Sequence, residues 1–164
     1  MSYPSRFADV DTTPRLNHIL PGTLAAHATR AALVEPDGTE LTYSALSDRV
    51  RQLAGHLRAV SVGTGDRVGI CLHKRAVAVA GLLSVLEREA AYVPLDALGS
   101  IERMAYMLAD CGARAVLVEH DMAQGIRDQL PCACSVHVLD EFDVSLLVCD
   151  WGELPVTVFD PDLA

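Results

Sequence analysis

Apolar residues recur with the period of an α-helix in a stretch that starts near Tyr43. Their spacing of four, three and four residues places them on one face, with the charged residues between them facing elsewhere. The apolar face carries Leu46, Val50, Leu53 and Leu57. This pattern predicts an amphipathic helix, with Thr42 as its N-cap, that buries one side against a sheet.

Two shorter elements precede this helix. Residues 16–28 have apolar positions at helical spacing, which predicts a short helix or two helices interrupted at Pro21-Gly22. Ala31–Glu35 and Glu40–Thr42 are extended runs on either side of Pro36-Asp37-Gly38, a sequence that favours a tight turn. The two runs predict a β-hairpin ahead of the amphipathic helix.

After residue 65, apolar runs of strand length alternate with stretches of helix length. Predicted strands cover residues 67–72, 91–95, 115–118 and 136–139, and predicted helices cover 76–86, 100–110 and 122–130. Such alternation is typical of strands joined by right-handed crossovers, so we predict an α/β fold with a parallel sheet and helices on both faces. Residues 143–149 are too few for their period to decide between helix and strand.

The predicted helix at residues 76–86 is apolar on nearly every side, which a helix tolerates when it is covered on more than one face. It is followed by Glu87-Arg88-Glu89, which offers no glycine for the left-handed position at which helices commonly end. We therefore expect this helix to run on, or to end on a residue that adopts the left-handed conformation at a cost.

Length and charge bound the class of protein. The chain has 164 residues, of which 51% are hydrophobic, enough for one domain with a sizeable core. A net charge of -9 argues against binding to nucleic acid or to an anionic membrane, and no apolar run is long enough to cross a bilayer. We expect a cytoplasmic protein with a flexible leader at residues 1–14, one α/β subdomain at 15–150 and an extended tail at 151–164.

The cysteines and histidines do not form a recognisable site. Five cysteines are present without a framework spacing, which favours reduced thiols, and those in apolar runs, Cys71 and Cys111, are expected to behave as small hydrophobic residues. Cys132 and Cys134 could suggest a metal or redox pair, but no second pair or suitably spaced histidine follows them. The six histidines are scattered, so each is expected to be an ordinary surface or core residue.

Three segments resemble motifs of the adenylate-forming superfamily, which includes the amino-acid-activating domains of nonribosomal peptide synthetases and the acyl-CoA synthetases. Residues 41–46, Leu-Thr-Tyr-Ser-Ala-Leu, resemble the first core motif of those domains. Residues 86–96 resemble the second, most clearly in Ala-Tyr-Val-Pro-Leu-Asp at 91–96. Residues 102–110 are similar to the Glu-Arg-Leu-X-Tyr-Met-Leu-X-Asp run that follows, which favours amino-acid over fatty-acid activation. The resemblance, from about residue 16 to 164, identifies the N-terminal part of an adenylation domain.

The resemblance also implies which residues carry the chemistry. The superfamily activates a carboxylate with ATP and magnesium, using a phosphate-binding loop, acidic residues and a catalytic lysine. The last five residues, 160–164, resemble the segment just before that loop. No catalytic, cofactor-binding or metal-binding residue is therefore assigned in this chain, and ATP and Mg are expected only for the complete enzyme.

Two functions remain open. The chain is either a fragment or split half of an adenylation domain, inactive alone and paired with the rest of the domain, or a non-catalytic docking or dimerisation module that binds another synthetase component or itself. It departs from the family pattern at Ala45, Glu87-Arg88-Glu89, Ala97 and Ser100, where the family has a capping Glu, Lys-Ala-Gly and two prolines. Relaxed constraint and ordinary divergence both explain these changes.

Overall fold

The fold begins with a hairpin. The computed structural model describes residues 22–23, 25–130, 134–140 and 143–147. Strand β1 (Ala31–Val34) pairs antiparallel with β2 (Glu40–Thr42), as predicted, and Gly38 takes the left-handed conformation in the turn, with φ of 87°. Most of the predicted helix at residues 16–28 lies outside the described residues, as do the predicted leader and tail.

Helix α1 (Tyr43–Ala59) follows the hairpin directly and confirms the predicted amphipathic helix. The Thr42 hydroxyl oxygen accepts a hydrogen bond from the backbone N–H of Ala45 at 3.2 Å, so Thr42 is the N-cap. The predicted apolar face is the buried face, and it also contains Ala54 and His56. The period of the sequence therefore determined which side of α1 packs inward.

Five strands form the central sheet, in the order β4-β3-β5-β6-β7. They are β3 (Arg67–Cys71), β4 (Ala91–Pro94), β5 (Ala115–Val118), β6 (Ser135–Asp140) and β7 (Asp143–Leu147). The first four are parallel, as predicted, whereas β7 runs antiparallel to β6. Only two residues separate β6 from β7, a connection long enough for a hairpin but too short for a parallel crossover.

Helices cover both faces of this sheet. They are α2 (Ala76–Glu87), α3 (Ile101–Asp110) and α4 (His120–Gln129). The chain moves from β3 to β4 in one direction and then back past β3 to β5. Because crossovers are right-handed, this reversal places α2 on one face and α3 and α4 on the other. None of the helices within the described ranges is long and apolar enough to cross a membrane.

Each face has its own hydrophobic core. On one face, side chains of α1 and α2 pack with Val68, Ile70 and Leu117 of the sheet. On the opposite face, side chains of α3 and α4 pack with Val116 and Val118. Helix α2 packs against both α1 and the sheet, which explains why it is apolar on nearly every side.

Three helices end in the same hydrogen-bonding pattern. After α1, α2 and α3, one residue takes the left-handed conformation: Ser61 with φ of 62°, Glu89 with φ of 55° and Gly112 with φ of 61°. At the end of α2, the N–H groups of Glu89 and Ala90 donate to the carbonyls of Leu86 and Val85 at 2.9 and 3.1 Å. This pair of bonds is the Schellman motif. Of the two expected outcomes, the structure shows the second, because α2 ends at Glu87 and Glu89 occupies the position that favours glycine.

Candidate functional site

The carboxyl ends of the parallel strands form the edge of the sheet at which a site is expected. In open α/β sheets, ligands bind where the strand order reverses, just outside the carboxyl ends of the two central strands. Here that reversal lies between β3 and β5. The residues that follow these two strands are Leu72 and His73 after β3 and Glu119 after β5.

His73 and Glu119 close the gap between the two strand ends. The backbone N–H of His73 donates to Oε1 of Glu119 at 2.9 Å, and the His73 ring Nδ1 lies 2.7 Å from Oε2. Burial alone would raise the pKa of Glu119, but the hydrogen bonds and charge of His73 outweigh it and lower the pKa below its ordinary value. Both carboxylate oxygens are engaged, so this pair fixes the strand ends to each other.

A second carboxylate binds the start of α2 at the same edge. Oε1 of Glu35, from the hairpin, accepts a hydrogen bond from the backbone N–H of Ala76 at 2.6 Å. The N-cap of α2, Arg75, makes no side-chain capping bond. Glu35 therefore replaces the missing cap, and its negative charge is favourable beside the positive end of the helix.

Charged side chains of both signs lie near the strand ends at this edge. Burial raises the pKa of the Cys71 thiol to about 11, with the charges of Asp121, Asp96 and Glu119 contributing in the same direction. Lys74 and Arg75 follow His73 at the same edge, and the charge of Arg75 is among the causes that lower the pKa of Glu119. Among the described residues, no group of three or more His, Cys, Asp or Glu side chains is arranged to hold a metal ion.

A buried histidine pair connects α1 to β6. Nε2 of His56 lies 2.8 Å from Nδ1 of His137, whose Nε2 lies 2.7 Å from the Ser135 hydroxyl. That hydroxyl donates to the Arg114 carbonyl at 3.2 Å, so His137 must donate from Nε2 and accept at Nδ1. His56 then donates from Nε2. Burial lowers the pKa of both rings, that of His137 to about 3, and both are neutral near pH 7.

The sequence contained a signal for this pair. His56 follows Leu53 by three residues and therefore lies on the buried face of α1. In β6, Val136 and Val138 face the core with α3 and α4, so His137 points to the opposite face, towards α1. The prediction that the histidines are ordinary core or surface residues holds for this pair, whose hydrogen bonds are satisfied inside the protein.

The three motif segments support the scaffold. The first supplies the Thr42 cap and the start of α1, and the second supplies β4 and the turn after it, in which Oδ1 of Asp96 accepts from the N–H of Leu98 at 3.0 Å. The third is α3, whose N-cap Ser100 accepts from the N–H of Arg103 at 3.3 Å. Residues 160–164 lie outside the described residues.

Comparison with known proteins assigns these segments to a family. The family model of the AMP-binding enzymes matches residues 22–155, most of the chain. The chain belongs to the AMP-binding enzyme family. This confirms the resemblance to adenylation domains that the three motifs indicate.

Individual members of the AMP-binding family give the same result. Tyrocidine synthase 3 of Brevibacillus parabrevis is 36% identical over 110 residues, which make up 67% of this chain and 2% of the synthase. The phosphinothricin tripeptide synthetase PhsB of Streptomyces viridochromogenes is 36% identical over 130 residues, 77% of this chain and 11% of PhsB. The chain therefore spans a small fraction of the length of the curated relatives it matches, which are large synthetases.

A solved structure confirms the fold. The nonribosomal peptide synthetase FmoA3 in its AMPPNP-bound form superimposes with a TM-score of 0.69 and 27% sequence identity, covering 80% of this chain and 14% of FmoA3. The α/β architecture, with a parallel sheet and helices on both faces, is that of the N-terminal subdomain of adenylate-forming enzymes.

Proposed function

We propose that this chain is the N-terminal part of an amino-acid-activating adenylation domain in nonribosomal peptide biosynthesis, and that it provides scaffold without catalysing adenylation alone. The family assignment and the peptide synthetases among the relatives support the substrate class. The second half is supported by coverage, because the superposition with FmoA3 includes 80% of this chain but only 14% of FmoA3.

In this proposal, ATP and Mg bind only after the rest of the domain has joined the chain. The carboxyl edge of the sheet then becomes one wall of a larger site, and the His73–Glu119 pair holds that wall rigid. The partner is the remainder of the adenylation domain, on the same or a second polypeptide, and the assembly acts in the cytoplasm.

The test is amino-acid-dependent exchange of pyrophosphate into ATP. The chain alone should give no exchange, whereas the chain co-expressed with the complementary remainder of an adenylation domain, starting at the phosphate loop, should give exchange with at least one amino acid. The remainder expressed by itself is the control. Exchange by the isolated chain would refute the claim of inactivity, and a stable but silent complex would refute the enzymatic proposal.

A second candidate function rests on the open side of β4. Within the described residues this strand pairs only with β3, and its other edge is free. Exposed apolar side chains accompany this strand and the helix that follows: Tyr92 at 40%, Leu98 at 87% and Tyr106 at 70% exposure. Such an edge invites another protein chain. The chain would then be a docking or dimerisation module of an assembly line.

Light scattering separates the two candidates. A docking module should form a dimer, or should bind a synthetase component whose own adenylation domain is complete. Tyr92→Lys should weaken this association at least tenfold. A chain that stays monomeric across a wide concentration range, and binds only the complementary remainder, would leave the first function standing and refute the second.

A further inference from the structure

Three sulfur atoms meet beneath the carboxyl edge of the sheet. Sγ of Cys71, at the end of β3, lies 3.2 Å from Sδ of Met104 on α3 and 3.6 Å from Sδ of Met122 on α4. All three side chains are buried, with exposures of 0%, 3% and 7% respectively. Two thioethers, from two different helices, therefore both contact the Cys71 thiol.

We propose that Cys71, Met104 and Met122 form a binding site for a soft monovalent metal ion, Cu(I). Thiolate and thioether sulfurs are the ligands that select Cu(I), whereas harder ions prefer oxygen or nitrogen. The three residues would supply a three-sulfur set. This site is separate from any ATP site and does not depend on the proposed function.

The charge of the core favours a monovalent ion over a divalent one. When the ion binds, the Cys71 S–H bond breaks, the sulfur binds the metal and the proton leaves to solvent. A thiolate with Cu(I) is neutral overall, whereas a thiolate with Zn²⁺ keeps one positive charge. Because an uncompensated charge is costly in an apolar core, the neutral pair is preferred.

The distances fit after a small movement. A metal–sulfur bond of about 2.3 Å, the length of a zinc–thiolate bond, holds sulfurs in a trigonal site roughly 4 Å apart. The Cys71 sulfur is 3.2 and 3.6 Å from the two methionine sulfurs, so each must move outward by less than about 1 Å. Methionine has three rotatable bonds and adapts readily to such a shift.

Acidic side chains at the edge of the sheet attract a cation towards this cluster. The charges of Asp121, Asp96 and Glu119 all reach the Cys71 thiol. Met122 lies in the first turn of α4, directly after Asp121, and is the most exposed of the three ligands.

The test uses Ag(I), a redox-inert ion with the same preference for sulfur, and a chain in which the other four cysteines are serine. Calorimetry in competition with a chelator should give one ion per chain. Met104→Leu and Met122→Leu should each weaken binding at least tenfold, and Met107→Leu, on the same helix as Met104, should leave it unchanged. Leucine preserves the volume, so the fold is retained.

The double variant gives an independent readout. Equal affinity of the Met104→Leu/Met122→Leu double variant and the Met107→Leu control would overturn the proposal. If the four-serine chain fails to fold, the same three methionine variants are compared in the native chain, where Met104→Leu/Met122→Leu should lose one tight site and Met107→Leu none.

Discussion

Glu89 offers the sharpest test of how this chain ends its helices. The same pair of backbone hydrogen bonds ends α1, α2 and α3, but the left-handed residue is Ser61, Glu89 or Gly112. Only the last is free of a Cβ that collides with its own backbone in this conformation. Replacing Glu89 by glycine should therefore stabilise the protein, and replacing Gly112 by alanine should destabilise it.

The magnitude follows from two opposing terms. The left-handed conformation costs a residue with a Cβ roughly 1–2 kcal/mol, and glycine loses about 0.5–1 kcal/mol through the greater freedom of the unfolded chain. Glu89→Gly also removes a hydrogen bond from the Thr64 hydroxyl to Oε2 of Glu89, 2.8 Å long and exposed to solvent. Glu89→Ala removes the same bond while keeping the Cβ, so the glycine variant should exceed the alanine variant by about 0.5–1 kcal/mol.

Gly112→Ala isolates the backbone term. A Cβ built at Gly112 meets no atom within 4 Å, so the expected loss is the same net backbone difference of about 0.5–1 kcal/mol, with no steric clash added. Urea unfolding of the four proteins measures these differences, and in thermal unfolding 1 kcal/mol corresponds to roughly 2–4 °C for a chain of this size. If Glu89→Gly is no more stable than Glu89→Ala, the left-handed residue does not limit stability and the reasoning is wrong.

Three further predictions concern the histidine pair, a tight strand contact and the cap of α2. Because burial lowers the pKa of His56 and His137, the unfolded state binds more protons than the folded state below about pH 6.5. As the pH decreases below that value, the free energy of unfolding should fall by up to about 1.4 kcal/mol per pH unit for each ring. His137→Gln should reduce this slope in urea titrations between about pH 5 and 6.5. Gly69→Ala should cost about 1–3 kcal/mol in urea unfolding, because its Cβ would lie 2.5 Å from a Leu108 methyl and 2.9 Å from a Val116 methyl. Its control is Gly125→Ala, whose Cβ would lie 2.5 Å from the Ile101 Cδ1 at the end of that side chain. Because alanine also has the higher helix propensity, Gly125→Ala should be near neutral. Glu35→Gln should cost about 0.5–1 kcal/mol, measured the same way, because it weakens the cap on Ala76; an unchanged stability would show that water caps α2 equally well.

Local patterns predicted the elements, because the apolar period and the capping residues act within a few positions. The amphipathic face of α1 and the Thr42 cap were predicted in this way, and the lack of a glycine after α2 indicated its unfavourable end as one of two outcomes. What the sequence did not predict joins residues that are far apart along the chain. His56 and His137 are separated by 81 positions and His73 and Glu119 by 46, so no local period relates them.

The direction of β7 depends on both local sequence pattern and contacts between distant parts of the chain. The apolar run at residues 143–147 is compatible with either secondary structure, and its pairing depends on which sheet edge is available. The two-residue connection to β6 restricts the choice to an antiparallel neighbour. The length of the connection and the apolar run together therefore predict an antiparallel strand at this position.

The cost at Glu89 also bears on why this chain departs from the family pattern. The change from glycine keeps both hydrogen bonds of the Schellman motif, so it alters the energy of one residue and not the path of the chain. A cost of about 1 kcal/mol is small beside the 5–15 kcal/mol of a typical domain, and α1 carries the same cost at Ser61. Ordinary divergence therefore suffices for this departure. The proposed inactivity of the isolated chain rests on the small share of a synthetase such as FmoA3 that the chain spans, and not on a weakened scaffold.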